Sequence, residues 1–175
     1  MTIVIGLIDN GIVYMGSDRG MSDDSSISSP ITPKIKKNGQ FLIGYSSSRG
    51  SGQVAHYIDF PNVIKKDVDK YMRTDFIFTL KKAIEQYGLD ISDDDKAAAD
   101  FLVGIHGRLF QISTNDWQVN EYDKYTAIGA GSQFSIGSLD TSIIWKDPIK
   151  KIKTALDIAI KNSPQCNYPI DILHS

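Results

Sequence analysis

A threonine directly behind the initiator methionine, Thr2, and an aspartate further along the opening stretch, Asp18, are of the residue types that could do chemistry together. Removal of Met1, which a second residue as small as threonine permits, leaves one residue holding both a hydroxyl nucleophile and a free α-amine. An α-amine titrates near about 7.7–8.0, so close to neutral pH much of it is an unprotonated base. A hydroxyl beside an N-terminal amine is one recognised way to activate a weak nucleophile for acyl transfer. A second stretch with chemical potential is Ser46-Ser47-Ser48-Arg49-Gly50-Ser51-Gly52. Small polar residues at a strand-to-helix corner present backbone N–H groups where negative charge is favoured. Without Thr2 the same stretch would read as a plain Ser/Gly loop.

The element that must position Thr2 and Asp18 is a hairpin. Two apolar runs, Ile3 to Ile8 and Ile12 to Gly16, flank Asp9-Asn10-Gly11, and Asn-Gly is a strong signal for a two-residue type I′ turn. Folding back around it brings the start of the first strand beside the end of the second, so Thr2 and Asp18 become neighbours. Met21 to Pro30 is rich in Ser and Asp and reads as an exposed loop closed by Pro30 and Pro33. It delivers Lys34 into a short strand, Lys34 to Lys37, and Asn38-Gly39 turns the chain into a second strand, Gln40 to Tyr45.

Beyond the serine-rich corner, Gln53 to Leu89 is helical in pattern, interrupted at Pro61, with Phe76, Leu80, Ala83, Ile84 and Tyr87 at spacings of three and four and Gly88 as the C-terminal cap. Ile91 to Ala97 is an acidic loop. Its Asp93-Asp94-Asp95 lacks the alternating ligands, central glycine and terminal glutamate of a calcium loop, so it reads as a solvated turn. Asp100 to Ile112 is a hairpin turning at His106-Gly107-Arg108, with His106 exposed, and strands follow at Trp117 to Val119 and Tyr125 to Gly129. Helices are expected from Gln133 towards Leu139 and from Pro148 to Ile160, the latter with Ile149, Ile152, Ala155, Leu156 and Ala159 on one face. Cys166 to Ser175 reads as an extended surface tail. His56, His106 and His174 stand in no zinc spacing, and neither a metal nor a cofactor is expected.

Thr2-Ile3-Val4, Gly11-Ile12-Val13, Gly16-Ser17-Asp18-Arg19 and Lys34 ahead of Phe41-Leu42-Ile43-Gly44 together resemble a proteasome β subunit, and most of all the bacterial HslV-type peptidase. The resemblance implies the nucleophile at Thr2, an orienting carboxylate at Asp18 and, at Lys34, a lysine that lowers the hydroxyl pKa. It also implies that the corner supplies the oxyanion-binding amide, carried over to Ser47, and part of the substrate pocket, from Ser46, Ser48 and Arg49. It further implies the fold, an α+β four-layer αββα sandwich of the N-terminal nucleophile hydrolase type. Strands first, helices in the middle, strands again and helices last suit that order without singling it out. Ala127-Ile128-Gly129-Ala130-Gly131-Ser132 is similar to the family's A-I-G-S-G-G corner but has Ala130 in place of its serine. Ala155-Leu156-Asp157-Ile158-Ala159 also fits the pattern, yet the following Ile160-Lys161-Asn162-Ser163 lacks the carboxylate the family places there, with Asn162 as a candidate substitute.

At 175 residues, 41% hydrophobic and 23% charged, the chain suits one domain, residues 1–175, able to bury a core. A net charge of -2 with dispersed lysines argues against nucleic acid as the main partner. The single cysteine, Cys166, excludes an intrachain disulfide framework and fits a reducing compartment. No run approaches the roughly 20 apolar residues of a membrane span, and the opening strand is too short and too soon broken for a signal peptide. The expectation is a cytoplasmic threonine peptidase, matured by methionine removal alone. Its implied partners are a polypeptide substrate, copies of itself in a homo-oligomeric ring and an AAA+ unfoldase. Two other outcomes stay open: a non-catalytic structural or assembly subunit, and hydrolysis of a small-molecule amide.

Overall fold

The alternation of side chains along the strands decides the architecture. In the computed structural model, which describes residues 2–22, 26–89 and 98–175, β1 (Ile3–Asp9) and β2 (Ile12–Asp18) form the expected hairpin. Asn10 and Gly11 stand at φ 49° and 76°, as a type I′ turn requires. β1 lies inside a four-stranded antiparallel sheet of order β10-β1-β2-β11, with β10 at Tyr125–Gly129 and β11 at Ile170–His174. A five-stranded antiparallel sheet, β5 (Ile35–Asn38), β6 (Phe41–Ser47), β7 (Ala99–Ile105), β8 (Arg108–Ser113) and β9 (Gln118–Tyr122), packs against it. β3 (Met21–Ser22) and β4 (Ile27–Ser28) pair as a separate ribbon.

Ile3, Ile5 and Leu7 point away from the second sheet and pack with Leu139, Ile152 and Leu156 of the helices α4 (Ser132–Thr141) and α5 (Pro148–Asn162). Val4, one residue out of phase, meets Met15, Leu42, Leu102 and Leu109 between the two sheets. On the far side, Phe41, Ile43 and Tyr45 of β6 bury against Phe76, Leu80 and Ile84 of a second helical layer. The period of two thus sends each strand's apolar residues to two different cores, which yields helices, sheet, sheet, helices in sequence. The second helical layer comprises α1 (Arg49–Tyr57), α2 (Val68–Tyr71), a π-turn over Met72–Phe76 and α3 (Ile77–Gln86). At the end of α3, Gly88 at φ 71° closes a Schellman motif, with Leu89 N–H on Ile84 O and Gly88 N–H on Glu85 O. Asp147 caps α5, accepting from the N–H groups of Ile149 and Lys150, and Pro148 occupies the first turn.

Several details differ from the sequence expectations. The tail is not a surface extension: Ile170–His174 is the edge strand β11, antiparallel to β2, and Cys166 is buried. α1 begins at Arg49 rather than Gln53, because Ser48 caps it by accepting the Ser51 N–H. The second tight turn is Gly39-Gln40, with Asn38 paired to Phe41. The stretch after Gly20 contains the β3–β4 ribbon, and Lys34 immediately precedes β5 instead of opening it. His106 sits at the turn as expected but is half-buried, its Nε2 3.1 Å from Val63 O. On α5, Ile149 is exposed while Lys151 is buried. Met1 and the acidic loop with Asp93-Asp94-Asp95 lie outside the described residues.

Candidate active site

Thr2 precedes β1, Asp18 ends β2 and Lys34 precedes β5, so the hairpin register and the packing of the two sheets converge these three side chains. All are buried, at 3%, 0% and 3% exposure. The Thr2 hydroxyl donates to Asp18 Oδ1 at 2.5 Å and accepts from the Lys34 ammonium. Lys34 Nζ also donates to Asp18 Oδ1 at 2.8 Å and to Gly20 O at 2.5 Å, which occupies its three protons.

Asp18 is fixed from every side. Its Oδ1 additionally accepts the Ile3 N–H at 3.0 Å, and Oδ2 accepts the N–H groups of Gly20 and Asn167, both at 3.0 Å. The carboxylate therefore acts as an anchor holding the lysine and the hydroxyl in one geometry. Burial pulls the Lys34 ammonium below its ordinary pKa, with the Asp18 charge and hydrogen bond opposing and the Arg49 charge adding to the depression. Gly129, paired with Ile3 at φ 93°, completes the seat: a Cβ there would stand 2.2 Å from Thr2 O. Only glycine lets β10 come this close to the Thr2 carbonyl.

A cleft of about 400 Å³ opens over Thr2 and Lys34. The serine-rich corner forms its wall, and Ser46, Ser47, Ser48 and Arg49 all line it. Ser47 is exposed and held at φ 69°, a left-handed conformation that side chains other than glycine adopt at a cost. The Ser48 N–H is engaged by Ala98 O at 3.1 Å and its hydroxyl by the Ser51 N–H, so Ser48 serves the helix cap. Ser46 is buried with no hydrogen-bond partner for its hydroxyl among the described residues.

Sequence reasoning missed the backbone contributions of Gly20 and Asn167 and the presence of Tyr45 in the cleft wall. The Asp18-Arg19-Gly20 spacing held a signal for the first, since an aspartate commonly accepts the N–H two residues on. Asn162 does not substitute for the missing carboxylate. It is exposed, and its Nδ2 donates to Ile158 O within its own helix at 2.8 Å. Cys166 instead is buried near this side of the site, its Sγ packed against Gly131, and burial raises its thiol pKa. Among the described residues no group of three or more His, Cys, Asp or Glu side chains could hold a metal ion, and no helix is long and apolar enough to cross a membrane.

No protein-family model and no curated protein sequence matches the chain. Solved structures do. BPH from Thiobacillus denitrificans aligns over 99% of this chain and 97% of its own, at 16% identity and a TM-score of 0.81. The same protein in complex with epoxomicin aligns at 15% identity, with a TM-score of 0.80 and coverage of 99% and 98%. HslV from Trypanosoma brucei aligns at 17% identity, a TM-score of 0.70 and coverage of 99% and 98%. The helical assembly of the Anbu complex from Pseudomonas aeruginosa aligns at 12% identity and a TM-score of 0.73, over 99% of this chain and 81% of its own. At such identities the shared property is the backbone architecture, and the chain has the proteasome-type αββα fold of these three proteins.

Proposed function

We propose that the chain is a threonine-type N-terminal nucleophile peptidase, matured by removal of Met1. The observation that carries this reading is the Thr2 hydroxyl held at 2.5 Å from Asp18 Oδ1 while Lys34 donates to the same oxygen, at the floor of an open cleft. A strand residue with a merely structural task has no need of a buried ammonium on its hydroxyl, because burying that charge is costly.

In the proposed reaction, Thr2 Oγ1 attacks the carbonyl carbon of a peptide bond and its proton passes to the Thr2 α-amine. Lys34, remaining protonated, stabilises the developing alkoxide, and Asp18 holds Lys34 in place. The tetrahedral oxyanion is met by the Ser47 N–H, a kind of contact worth roughly 3–4 kcal/mol of barrier. The carbon–nitrogen bond then breaks as the amine returns the proton to the departing nitrogen, leaving an ester on Thr2. Water, deprotonated by the same amine, hydrolyses that ester. The Thr2, Asp18 and Lys34 geometry and the likeness to a BPH structure containing epoxomicin support this reading. We assign the mature protein to a homo-oligomeric assembly in the cytoplasm, acting on polypeptides supplied by an AAA+ unfoldase, without nucleic acid or membrane.

One observation favours a second reading, a non-catalytic assembly subunit: Ala130 and the exposed, self-bonded Asn162 supply no second polar partner to the nucleophile. Intact mass of the protein from low-level expression, followed by exposure to an epoxyketone or β-lactone probe, separates the two. The peptidase reading expects loss of one methionine and an adduct on Thr2, absent from Thr2→Ala. A retained methionine without adduct leaves the assembly subunit.

A further inference from the structure

Four buried side-chain polar atoms have no hydrogen-bond partner among the described residues, and three belong to residues of one cleft wall: Tyr45 Oη, Ser46 Oγ and Arg49 Nη2. Tyr45 and Ser46 are each 1% exposed. Buried polar groups are overwhelmingly paired in native proteins, and one left unpaired forfeits the hydrogen bond it had with water. Tyr45 packs under α1 in the helical layer, but Ser46 Oγ and Arg49 Nη2 beside Thr2 mark a place where something else supplies the acceptor.

The charges in the cleft say what that acceptor is. Lys34 donates to Thr2, Asp18 and Gly20, and Asp18 balances its charge. No carboxylate is among the described residues lining the cleft. Arg49 is thus the cation left over, close enough to Lys34 for each to feel the other's charge. A guanidinium offers a fork of N–H groups matched to the two oxygens of a carboxylate, and a guanidinium–carboxylate pair is among the stronger hydrogen-bonded pairs. The Ser46 hydroxyl can donate to the same group.

Resting on the peptidase reading above, we propose that this cleft selects an acidic side chain, glutamate or aspartate, on the residue whose carbonyl Thr2 attacks, with Arg49 as the specificity-determining residue assisted by Ser46.

The test uses peptide aminocoumarins identical except for the residue before the scissile bond: Glu, Gln, Leu or Lys. The expected kcat/KM ratio of Glu over Gln is about tenfold to a hundredfold, the range of a charge-assisted hydrogen bond. Arg49→Gln brings that ratio close to unity, and Arg49→Glu turns the preference towards Lys. A gain of this kind cannot come from a misfolded variant, and thermal melting checks the fold of both. Equal cleavage after Glu and Gln by a protein that forms the Thr2 adduct overturns the selectivity and leaves the peptidase reading standing. If no adduct forms and no peptide is cleaved, the peptidase reading fails instead. Calorimetric titration of Thr2→Ala with acetylated peptides ending in Glu amide or Gln amide then decides the recognition independently of chemistry: preference for Glu supports it and equal affinity overturns it.

Discussion

Asn167 reaches back 149 positions along the chain to donate its backbone N–H to Asp18 Oδ2 at 3.0 Å. The segment leading into the last strand thereby carries part of the candidate site without contributing a reactive group. Arg19 ties the same segment down, with Nε and Nη2 on Asp171 at 2.6 and 2.5 Å and Nη1 on Ile31 O at 3.0 Å. Both side chains of this pair are part-exposed, which limits its worth to about 1 kcal/mol. Arg19→Ala should lower the melting temperature by about 2–4 °C and slow probe labelling of Thr2 more than that loss accounts for. Calorimetry and timed mass spectrometry of the adduct measure the two effects separately.

Removing Lys34 strands a buried carboxylate. Lys34→Met is expected to destabilise the protein by about 3–5 kcal/mol and to abolish turnover. The double variant Asp18→Asn/Lys34→Met should recover part of the stability and none of the activity, because no charge is then left alone. Urea unfolding of the four proteins in the cycle gives the coupling. A coupling near zero would contradict the picture of one interdependent pair.

Ser47 holds a left-handed backbone conformation that glycine adopts freely. Ser47→Gly is expected to stabilise the fold by up to about 1 kcal/mol, the relief of strain being partly offset by the greater freedom of glycine in the unfolded chain. Ser47→Val should do the reverse. Thermal melts of both variants read the sign directly.

His56 is buried beneath β6, its Nε2 3.0 Å from Ile43 O and its ring against Tyr45, and burial lowers its pKa from 6.5 to about 4. Between those values the unfolded chain binds a proton that the folded protein refuses. Stability contributed by neutral His56 is therefore complete above pH 6.5 and declines as the pH falls towards 4, by up to about 3 kcal/mol. Urea midpoints at pH 7 and pH 4.5 should fall further apart in the wild type than in His56→Gln.

Much of this was legible before folding because it is written in local chemistry. Asn10-Gly11 and His106-Gly107 specify their hairpins, Gly88 specifies a helix end, and Thr2 and Asp18 are brought together by a single turn. What stayed hidden belongs to groups with no side-chain signature. The donors on Asp18 from Ile3, Gly20 and Asn167 are backbone N–H groups, which every residue except proline possesses. β11 escaped notice because Ile170-Asp171-Ile172 is too short an alternation to count as a strand until β2 offers it an edge. The unpartnered hydroxyls of Tyr45 and Ser46 follow from burial, which only the packed layers define.

The candidate machinery is divided between the two sheets: Thr2 leads into one strand of the first and Asp18 ends another, whereas Lys34, whose carbonyl accepts the Tyr45 N–H, is fastened to the second. Its alignment therefore measures how the two sheets slide across Val4, Met15, Leu42 and Leu109. A shear of about 1 Å is enough to cost an enzyme roughly a hundredfold in rate, far short of what would melt the core. Forces applied at the outer helices, α4 and α5 on one side and α1 to α3 on the other, would be felt at Thr2 as a change of alignment. Under the proposed chemistry, rate would then respond to mechanical load on the sandwich well before any unfolding could be detected.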